Sequence, residues 1–490
     1  MKARSLSVAV ALLLAGCALD PPAQQPPNII YMLADDLGYG ELGSYGQTKI
    51  RTPHLDALAA QGMRFSDHYS GSPVCAPSRG TLMTGLHTGH GQIRDNFEVG
   101  GYPDPDELGQ MPLDSGTYTL GRMLQDAGYV TGAIGKWGLG GRGSIGQPHH
   151  QGFDYFFGYL DQQLAHNYYP THLWRNGERV ELDNEYFNPH QRFEGADPTD
   201  PAAYEQYAGN EYSVDVMAED ALRFLDEHQD EPFFLYLPFA VPHLALQVPD
   251  SSLVEYEGEF EEEPYLGDRG YLPHVRPFSA YAGMITRMDA HIGRILERLD
   301  ELGLAENTLV MFTSDNGTTY TGGVDAEYFE GTGGLRGLKG SVYEGGIRVP
   351  LIARWPGRIE PGSESDHVSA FWDMMPTLAD VVGVAPPEGI DGASFLPTLL
   401  GEAGQAERDH LYWEYHGLWN GAQAVRIGQW KGVRLGGHGD PDAPIELYDL
   451  ERDPNETTDV AADHPDIVAR IRAVMESRTE SRVERWNFAG

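Results

Sequence analysis

The sequence predicts an α/β fold: a large, mixed but mostly parallel sheet flanked by helices, followed by a small antiparallel sheet with a closing helix. Three observations predict it. Short, continuous apolar runs recur along residues 28–400 and read as strands buried on both faces. Long amphipathic segments, Glu211–His228 and Ser279–Glu301, alternate with them and read as covering helices. Beyond about residue 400 the apolar runs crowd together, the pattern of a small antiparallel sheet.

The first strand is Asn28–Leu33, ending at Ala34-Asp35-Asp36. Thr117–Ala127 has helical spacing through Leu120, Met123 and Leu124, and Gly128 stops it. Tyr129–Gly135 is the next strand, with Lys136 and a glycine-rich turn at its end. The aromatic stretch from Gln151 to Pro170 reads as core or as a platform for a sugar ring. Pro232–Phe239 is a strand ending at Val241-Pro242-His243, and Pro249–Pro277 an inserted loop. Thr308–Thr313 is a strand ending at Ser314-Asp315-Asn316-Gly317. Val349–Trp355 adds a strand and Phe371–Val382 a helix. Leu411–Tyr415, Gln423–Ile427, Trp430–Leu435 and Ile445–Asp449 make the small sheet, closed by the helix Pro465–Ser477. The chain therefore divides into a catalytic part, 28–400, and a C-terminal subdomain, 401–490. In open α/β sheets ligands gather at the carboxyl ends of the strands, so the polar clusters there are the candidate site.

The 490 residues carry a formal net charge of −39, with 73 acidic against 34 basic side chains. That excludes nucleic acid as a partner, because a phosphate backbone needs a basic footprint. A polyanionic substrate would be repelled at long range and would need local cations. At the N-terminus, Lys2 and Arg4 precede an apolar run, Val8–Ala15, too short to span a bilayer. Leu14-Ala15-Gly16-Cys17 resembles a bacterial lipobox, which implies a signal peptide over 1–17, lipidation of Cys17 and a tether over 18–27; an ordinary secretory signal is the alternative. Ala18 resembles the residue that follows the cysteine in lipoproteins sent to the outer membrane. The expected location is exported, periplasmic or outer-membrane anchored, with the lipid as the sole contact with the membrane. The chain has two cysteines, so a lipidated Cys17 leaves Cys75 without a disulfide partner.

Cys75 lies in Ser72-Pro73-Val74-Cys75-Ala76-Pro77-Ser78-Arg79-Gly80, which continues to Thr84-Gly85. Pro77 suits the first turn of a helix, which would set Cys75 at an N-terminus that favours anions. Alone, a Cys and an Arg four residues apart favour a packed thiol and an ordinary ion pair. The whole string is more specific: it resembles the signature of the type I, formylglycine-dependent sulfatases of the alkaline phosphatase superfamily, bacterial arylsulfatases among them. Asp35-Asp36-Leu37-Gly38-Tyr39-Gly40 and Lys339–Arg348 resemble two further segments of that family, and Glu446–Leu450 resembles part of its C-terminal subdomain. Lys136-Trp137-Gly138-Leu139-Gly140 departs from the family's Gly-Lys-Trp-His-Leu-Gly, with glycine at Gly138 where histidine is usual.

The resemblance implies an alkaline-phosphatase-like fold, oxidation of Cys75 to formylglycine by a maturation enzyme, and Ca²⁺ held by Asp35, Asp36, Asp315, Asn316 and residue 75. Hard oxygen donors suit Ca²⁺ or Mg²⁺ better than zinc. It further implies that Arg79, Lys136 and Lys339 offset charge on the sulfuryl oxygens, with Lys136, His243 and Lys339 contacting substrate. Asp315 would be the base, and His243 or Lys339 would protonate the leaving alkoxide. His166 is the candidate to replace the histidine absent at Gly138. The expected substrate is a sulfated sugar or polysaccharide fragment. Phosphate or phosphonate ester hydrolysis in the same superfamily, and a catalytically disabled sulfated-glycan binding protein, are the alternatives.

Overall fold

The computed structural model describes residues 26–100, 107–440 and 442–488. The leader 1–17 with Cys17, and residues 18–25 of the tether, lie outside the described residues. Among the described residues no helix is long and apolar enough to cross a membrane.

One ten-stranded sheet dominates. Its five central strands, in spatial order Thr308–Ser314, Asn28–Ala34, Phe233–Pro238, Val130–Lys136 and Tyr155–Tyr159, are all parallel. Leu351–Arg354 and Met63–Phe65 continue one side antiparallel, and Ser363–Ser365 closes that edge. His172–Arg175 and Glu178–Glu181 form an antiparallel hairpin on the other. The sequence analysis did not anticipate this hairpin, because its residues carry no apolar run. Its charged outer strand suits an edge that must not pair with another chain.

Alternation along a strand divides its side chains between two cores. Ile30, Met32 and Ala34 face a core shared with Met217 and Ala221 of the helix Ser213–Glu227 and with Met284, Ile285 and Met288 of the helix Pro277–Glu301. Ile29, Tyr31 and Leu33 face the opposite core, with Leu82, Met83, Leu120, Met123, Met375 and Leu378. Each fully buried side chain of this size contributes about 1.5–3 kcal/mol. The expected helix over Thr117–Ala127 starts instead at Leu120, because the Thr119 side chain accepts from Arg122 N at 3.1 Å and caps it there. The aromatic stretch proves to be core: Phe153, Phe156, Phe157 and Tyr168 are buried, with Tyr155–Tyr159 as a strand.

The C-terminal sheet runs Leu411–Tyr415, Ala422–Ile427, Trp430–Leu435, Ile445–Asp449, all antiparallel. One face packs Val425 and Leu447 under Ile471 and Met475 of the helix Pro465–Glu476. The other packs Trp413, Ala424 and Val433 against Tyr69, Val74, Ile347 and Trp372 of the larger part. The small sheet therefore lies directly behind the segments that carry Cys75 and Lys339.

Candidate active site

Register brings the strand ends together. Ala34 pairs with Ser314 and Leu33 with Pro238, so Asp35 and Asp315 leave the sheet side by side. Backbone bonds fix the exits: Asp315 N donates to Ala34 O at 3.0 Å, and Asp35 N to Val241 O at 3.1 Å, two residues before His243. The helix Cys75–Thr84 meets them with Cys75 at its first position and Pro77 in its first turn, and stops at Gly85 with φ +69°. Cys75 Sγ lies 3.3 Å from Asp35 Oδ1 and 3.9 Å from Asp36 Oδ1.

Ligand-type atoms of Asp35, Asp36, Cys75 and His243 all fall within 4.8 Å of one another, in buried surroundings. Asp36 N donates to Asp315 Oδ1 at 3.2 Å, and Asn316 Nδ2 to Asp36 Oδ1 at 2.8 Å. Behind them, Glu41 accepts from Gly38 N, the Tyr281 hydroxyl and the Thr318 hydroxyl, and so braces the turn after Asp36. Three cations enter the cluster, and each lies on a carboxylate. Arg79 grips Asp315 Oδ2 from Nε at 3.0 Å and Nη2 at 2.9 Å, and its Nη1 donates to Lys136 O. Lys136 Nζ is 2.5 Å from Asp35 Oδ2, and Lys339 Nζ is 2.7 Å from Asp36 Oδ1 and 3.5 Å from Cys75 Sγ.

Burial opposes charge throughout this cluster, and the neighbours decide the outcome. Burial would raise the Asp35 carboxyl, but Lys136 and Arg79 hold it well below the usual carboxylate range. Burial and the Asp35 charge push Asp315 up to about 6, with Arg79 opposing. Burial pushes the Cys75 thiol up strongly, reinforced by Asp35. Burial would lower Lys339, yet Asp36 and its other neighbours hold it protonated, well above the ordinary lysine value. His243 is driven the other way, by burial and by Lys339 and Lys136, so it is neutral. Its Nδ1 donates to Leu244 O at 2.7 Å, which leaves the Nε2 lone pair 3.7 Å from Asp36 Oδ2.

His166 enters the cluster beside His243. Its ring stacks on His243, with centroids 4.9 Å apart and planes at 6°, and its Nδ1 meets His190 Nε2 at 3.0 Å. Tyr271 sits edge-on to both His166 and His243. The space beside Gly138 belongs to Gln162: a Cβ at Gly138, where φ is +75°, would lie 3.0 Å from Gln162 Cγ. Gln162 Nε2 donates to Gln110 Oε1 at 3.2 Å and to Asn96 Oδ1 at 3.4 Å. Asn96 Oδ1 in turn accepts from Ala76 N at 2.9 Å, beside residue 75. Asn96, Gln162, His190 and Tyr271 escaped the sequence analysis because each stands alone in a loop, in no pattern that marks it. A second cluster, His87, His90 and Asp391, also brings ligand-type atoms within 4.8 Å. There Gly89 N donates to His87 Nδ1 at 3.1 Å, which occupies that lone pair and places the ring proton of His87, held neutral by burial, on Nε2, while His90 Nδ1 lies 2.9 Å from Asp391 Oδ1.

A buried residue 75 at a helix N-terminus faces acids and cations at the ends of parallel strands, an arrangement suited to hydrolysing an ester. Residues 27–384 match the family described as Sulfatase, and 338–483 match the domain described as N-sulphoglucosamine sulphohydrolase, C-terminal. The chain belongs to the sulfatase family and is an enzyme that hydrolyses sulfate esters. It is 32% identical to an N-acetylgalactosamine-6-O-sulfatase of Bacteroides thetaiotaomicron, over 92% of this chain and 93% of that one. It is 34% identical to human arylsulfatase A, over 96% and 89%. Among solved structures, Ps i-CgsB superposes with a TM-score of 0.76 at 27% identity, covering 95% of each chain. A phosphonate monoester hydrolase of Agrobacterium radiobacter shares the fold, with a TM-score of 0.63 at 22% identity over 92% of this chain and 95% of that one.

Proposed function

We propose that the protein removes sulfate from sulfated sugars, using formylglycine made from Cys75 and a hard divalent cation, Ca²⁺ with Mg²⁺ as the alternative. The observation that carries this reading is the convergence of Asp35, Asp36, Cys75 and His243 within 4.8 Å. The donor set fits the cation: oxygens predominate, and Asn316 Oδ1 is buried without a hydrogen-bond partner among the described residues. Asp35, Asp36, Asp315 and Asn316 would hold the ion, which when bound would polarise a sulfate oxygen. The chemistry of residue 75 fits as well, because a thiol pushed far up by burial and Asp35 is no nucleophile as encoded. The hydrated aldehyde of formylglycine would supply an oxygen nucleophile in its place.

The remaining roles follow from the charges. Asp315 would take the proton from a hydroxyl on residue 75. Arg79 fixes that carboxylate in place through its paired contacts. Lys136 and Lys339 would turn from Asp35 and Asp36 toward the sulfuryl oxygens once a cation occupies the carboxylates. Lys339 carries the proton that the leaving alkoxide needs, whereas neutral His243 presents a lone pair at Nε2 and is suited to orient a substrate hydroxyl.

The sugar reading is supported by the relative named for N-acetylgalactosamine 6-O-sulfate and by the structure of Ps i-CgsB in complex with k-i-k-neocarrahexaose. We place the enzyme outside the inner membrane, carried there by the leader 1–17 and anchored by lipid on Cys17; fatty-acid labelling abolished by Cys17→Ser tests this. Mass spectrometry of the Cys75 peptide tests the modification. Hydrolysis of p-nitrocatechol sulfate in preference to the matched phosphate and phosphonate esters tests the chemistry. Correctly modified protein that binds sulfated sugar and releases no sulfate would overturn the proposal.

A further inference from the structure

Beyond the catalytic pocket the molecule exposes aromatic surface that its folding does not require. Most large aromatic rings are buried, Trp137, Trp372, Trp413 and Trp486 almost completely, but Trp419 is 54% exposed and Tyr320 46%. Trp419 occupies the tight turn between the strands Leu411–Tyr415 and Ala422–Ile427. Its φ is +59° and that of Asn420 is +52°. Two successive non-glycine residues in the left-handed region are costly, and for a bulky side chain such a conformation persists only where surrounding structure enforces it. Here it is enforced by Gly436 N on Trp419 O at 3.0 Å, His438 N on Asn420 O at 2.9 Å and Gly421 N on Leu418 O at 3.1 Å. The turn is therefore locked in a form that sets the indole outward, against the usual drive to bury it.

The turn also abuts the site. Leu418 packs on Gly340, the residue after Lys339, so closely that a methyl group there would lie 2.7 Å from Leu418 Cδ1. Gly340 N donates to Pro73 O at 2.9 Å, two residues before Cys75. Thr318 O, two residues before Tyr320, accepts from Lys339 N at 2.9 Å. Tyr415, at the base of the turn, lies within electrostatic reach of Lys339, Tyr320 and Cys75. The Tyr320 segment is thus bonded to the backbone of Lys339, and the Trp419 turn packs on the residue that follows it.

We propose that Trp419 and Tyr320 form an aromatic rim that stacks on a sugar ring next to the one whose sulfate is cleaved, so that the enzyme acts on sulfated oligosaccharide chains. The proposal rests on the sulfated-sugar reading above and deepens it. A sugar ring presents an apolar C–H face that an indole or phenol covers without any charge. That matters in a chain of net charge −39, where long-range attraction for a polyanion is absent and affinity must come from short-range contacts.

The test compares p-nitrocatechol sulfate, whose single ring ends in the pocket, with a hexasaccharide containing sulfated N-acetylgalactosamine. Trp419→Ala and Tyr320→Ala should each lower kcat/KM on the hexasaccharide by about tenfold, through KM, and Trp419→Phe should recover most of it. Activity on the aryl ester is the reference and should stay within about twofold. In a Cys75→Ala background, the hexasaccharide Kd by calorimetry should rise by the same factor with Trp419→Ala. Equal losses on both substrates, or none on the hexasaccharide, would overturn the rim alone. A wild-type enzyme that cleaves the aryl ester yet neither binds nor cleaves the hexasaccharide would overturn the sugar reading, and the rim with it.

Discussion

Glu414 and the group Asp35, Asp36 and Asp315 are both buried carboxylate clusters gripped by arginine, and they differ in whether every acceptor is filled. Glu414 Oε1 accepts from Arg94 at 2.7 Å, Arg478 at 3.0 Å and His416 at 3.0 Å, while Oε2 accepts from Tyr412 and from Arg478, each at 2.6 Å. Burial alone would raise this carboxyl, but His416, Arg478 and Arg94 hold it well below the usual range. In the other cluster, burial raises Asp36 and lifts Asp315 to about 6, and Asn316 Oδ1 has no hydrogen-bond partner among the described residues. The closed cluster fastens the small sheet to the larger part; the open one keeps an acceptor unfilled at Asn316. Unfilled polar groups, rather than charged groups as such, distinguish a site from a fastener.

Substitutions should split along that line. Asp36→Asn is expected to lower sulfate release by about 10³-fold or more while leaving the fold intact, because it removes the charge that pairs with Lys339 and, on the reading proposed above, a ligand of the cation. Steady-state assay beside a denaturation curve checks both halves. Glu414→Ala should do the opposite. Leaving Arg94 and Arg478 buried without their carboxylate costs about 3–5 kcal/mol, seen as a lower denaturant midpoint, with turnover per folded molecule retained. Should Glu414→Ala instead abolish turnover in fully folded protein, the fastener reading fails.

The same contrast extends to pH and to the cation. Glu414 is depressed in the folded state, so its contribution is whole above the unfolded value of about 4.3 and is lost as pH falls from there toward the folded value. Denaturation between neutral and acid pH should therefore show an acid loss that Glu414→Gln diminishes. Ca²⁺ should stabilise the wild type by about 2.7 kcal/mol at a hundred times its Kd, and chelation should reverse the gain. Asp36→Asn should lose that shift and Glu414→Gln should keep it. A shift that survives Asp36→Asn would place the cation elsewhere.

Much of this centre was legible because buried parallel strands announce themselves. Asp35, Lys136, His243 and Asp315 each follow a continuous apolar run, and parallel register then aligns the ends of those runs. The string around Cys75 was legible for a different reason: it is contiguous, most of it lies in one helix, and as a whole it resembles a family signature that a lone Cys and Arg do not. Two kinds of fact were not. Of the hairpin, Glu178–Glu181 has no apolar periodicity, because an edge strand needs little burial, and His172–Arg175, though buried, is only four residues long and offers too short a run to mark a strand. Side-chain pairs distant in sequence leave no local mark either: Arg94 meets Glu414 across 320 residues, and Asn96 caps Ala76 from a loop. The cations were found, but their resting partners were not. Arg79, Lys136 and Lys339 were expected to face sulfate, and the structure sets each on a carboxylate.

Gln162 offers the smallest and most discriminating effect. Its carboxamide fills the space beside Gly138, its Oε1 is buried without a partner among the described residues, and its Nε2 reaches the Asn96 that accepts from Ala76 N, next to residue 75. A carboxamide accepts a hydrogen bond but takes up no proton near neutrality, so under the formylglycine reading proposed above it would orient the hydrate without acting as a base. Gln162→Ala should therefore lower kcat by about tenfold, the effect of one lost hydrogen bond, with KM nearly unchanged. Gln162→Glu keeps the acceptor and adds a titrating group, so it should retain more of kcat and acquire a new acid limb in the pH–rate profile. If both variants match the wild type, Gln162 only fills space, and the loss of histidine at Gly138 is made good by some other group. If Gln162→Ala instead raises KM with kcat intact, the carboxamide belongs to substrate binding and not to the handling of residue 75.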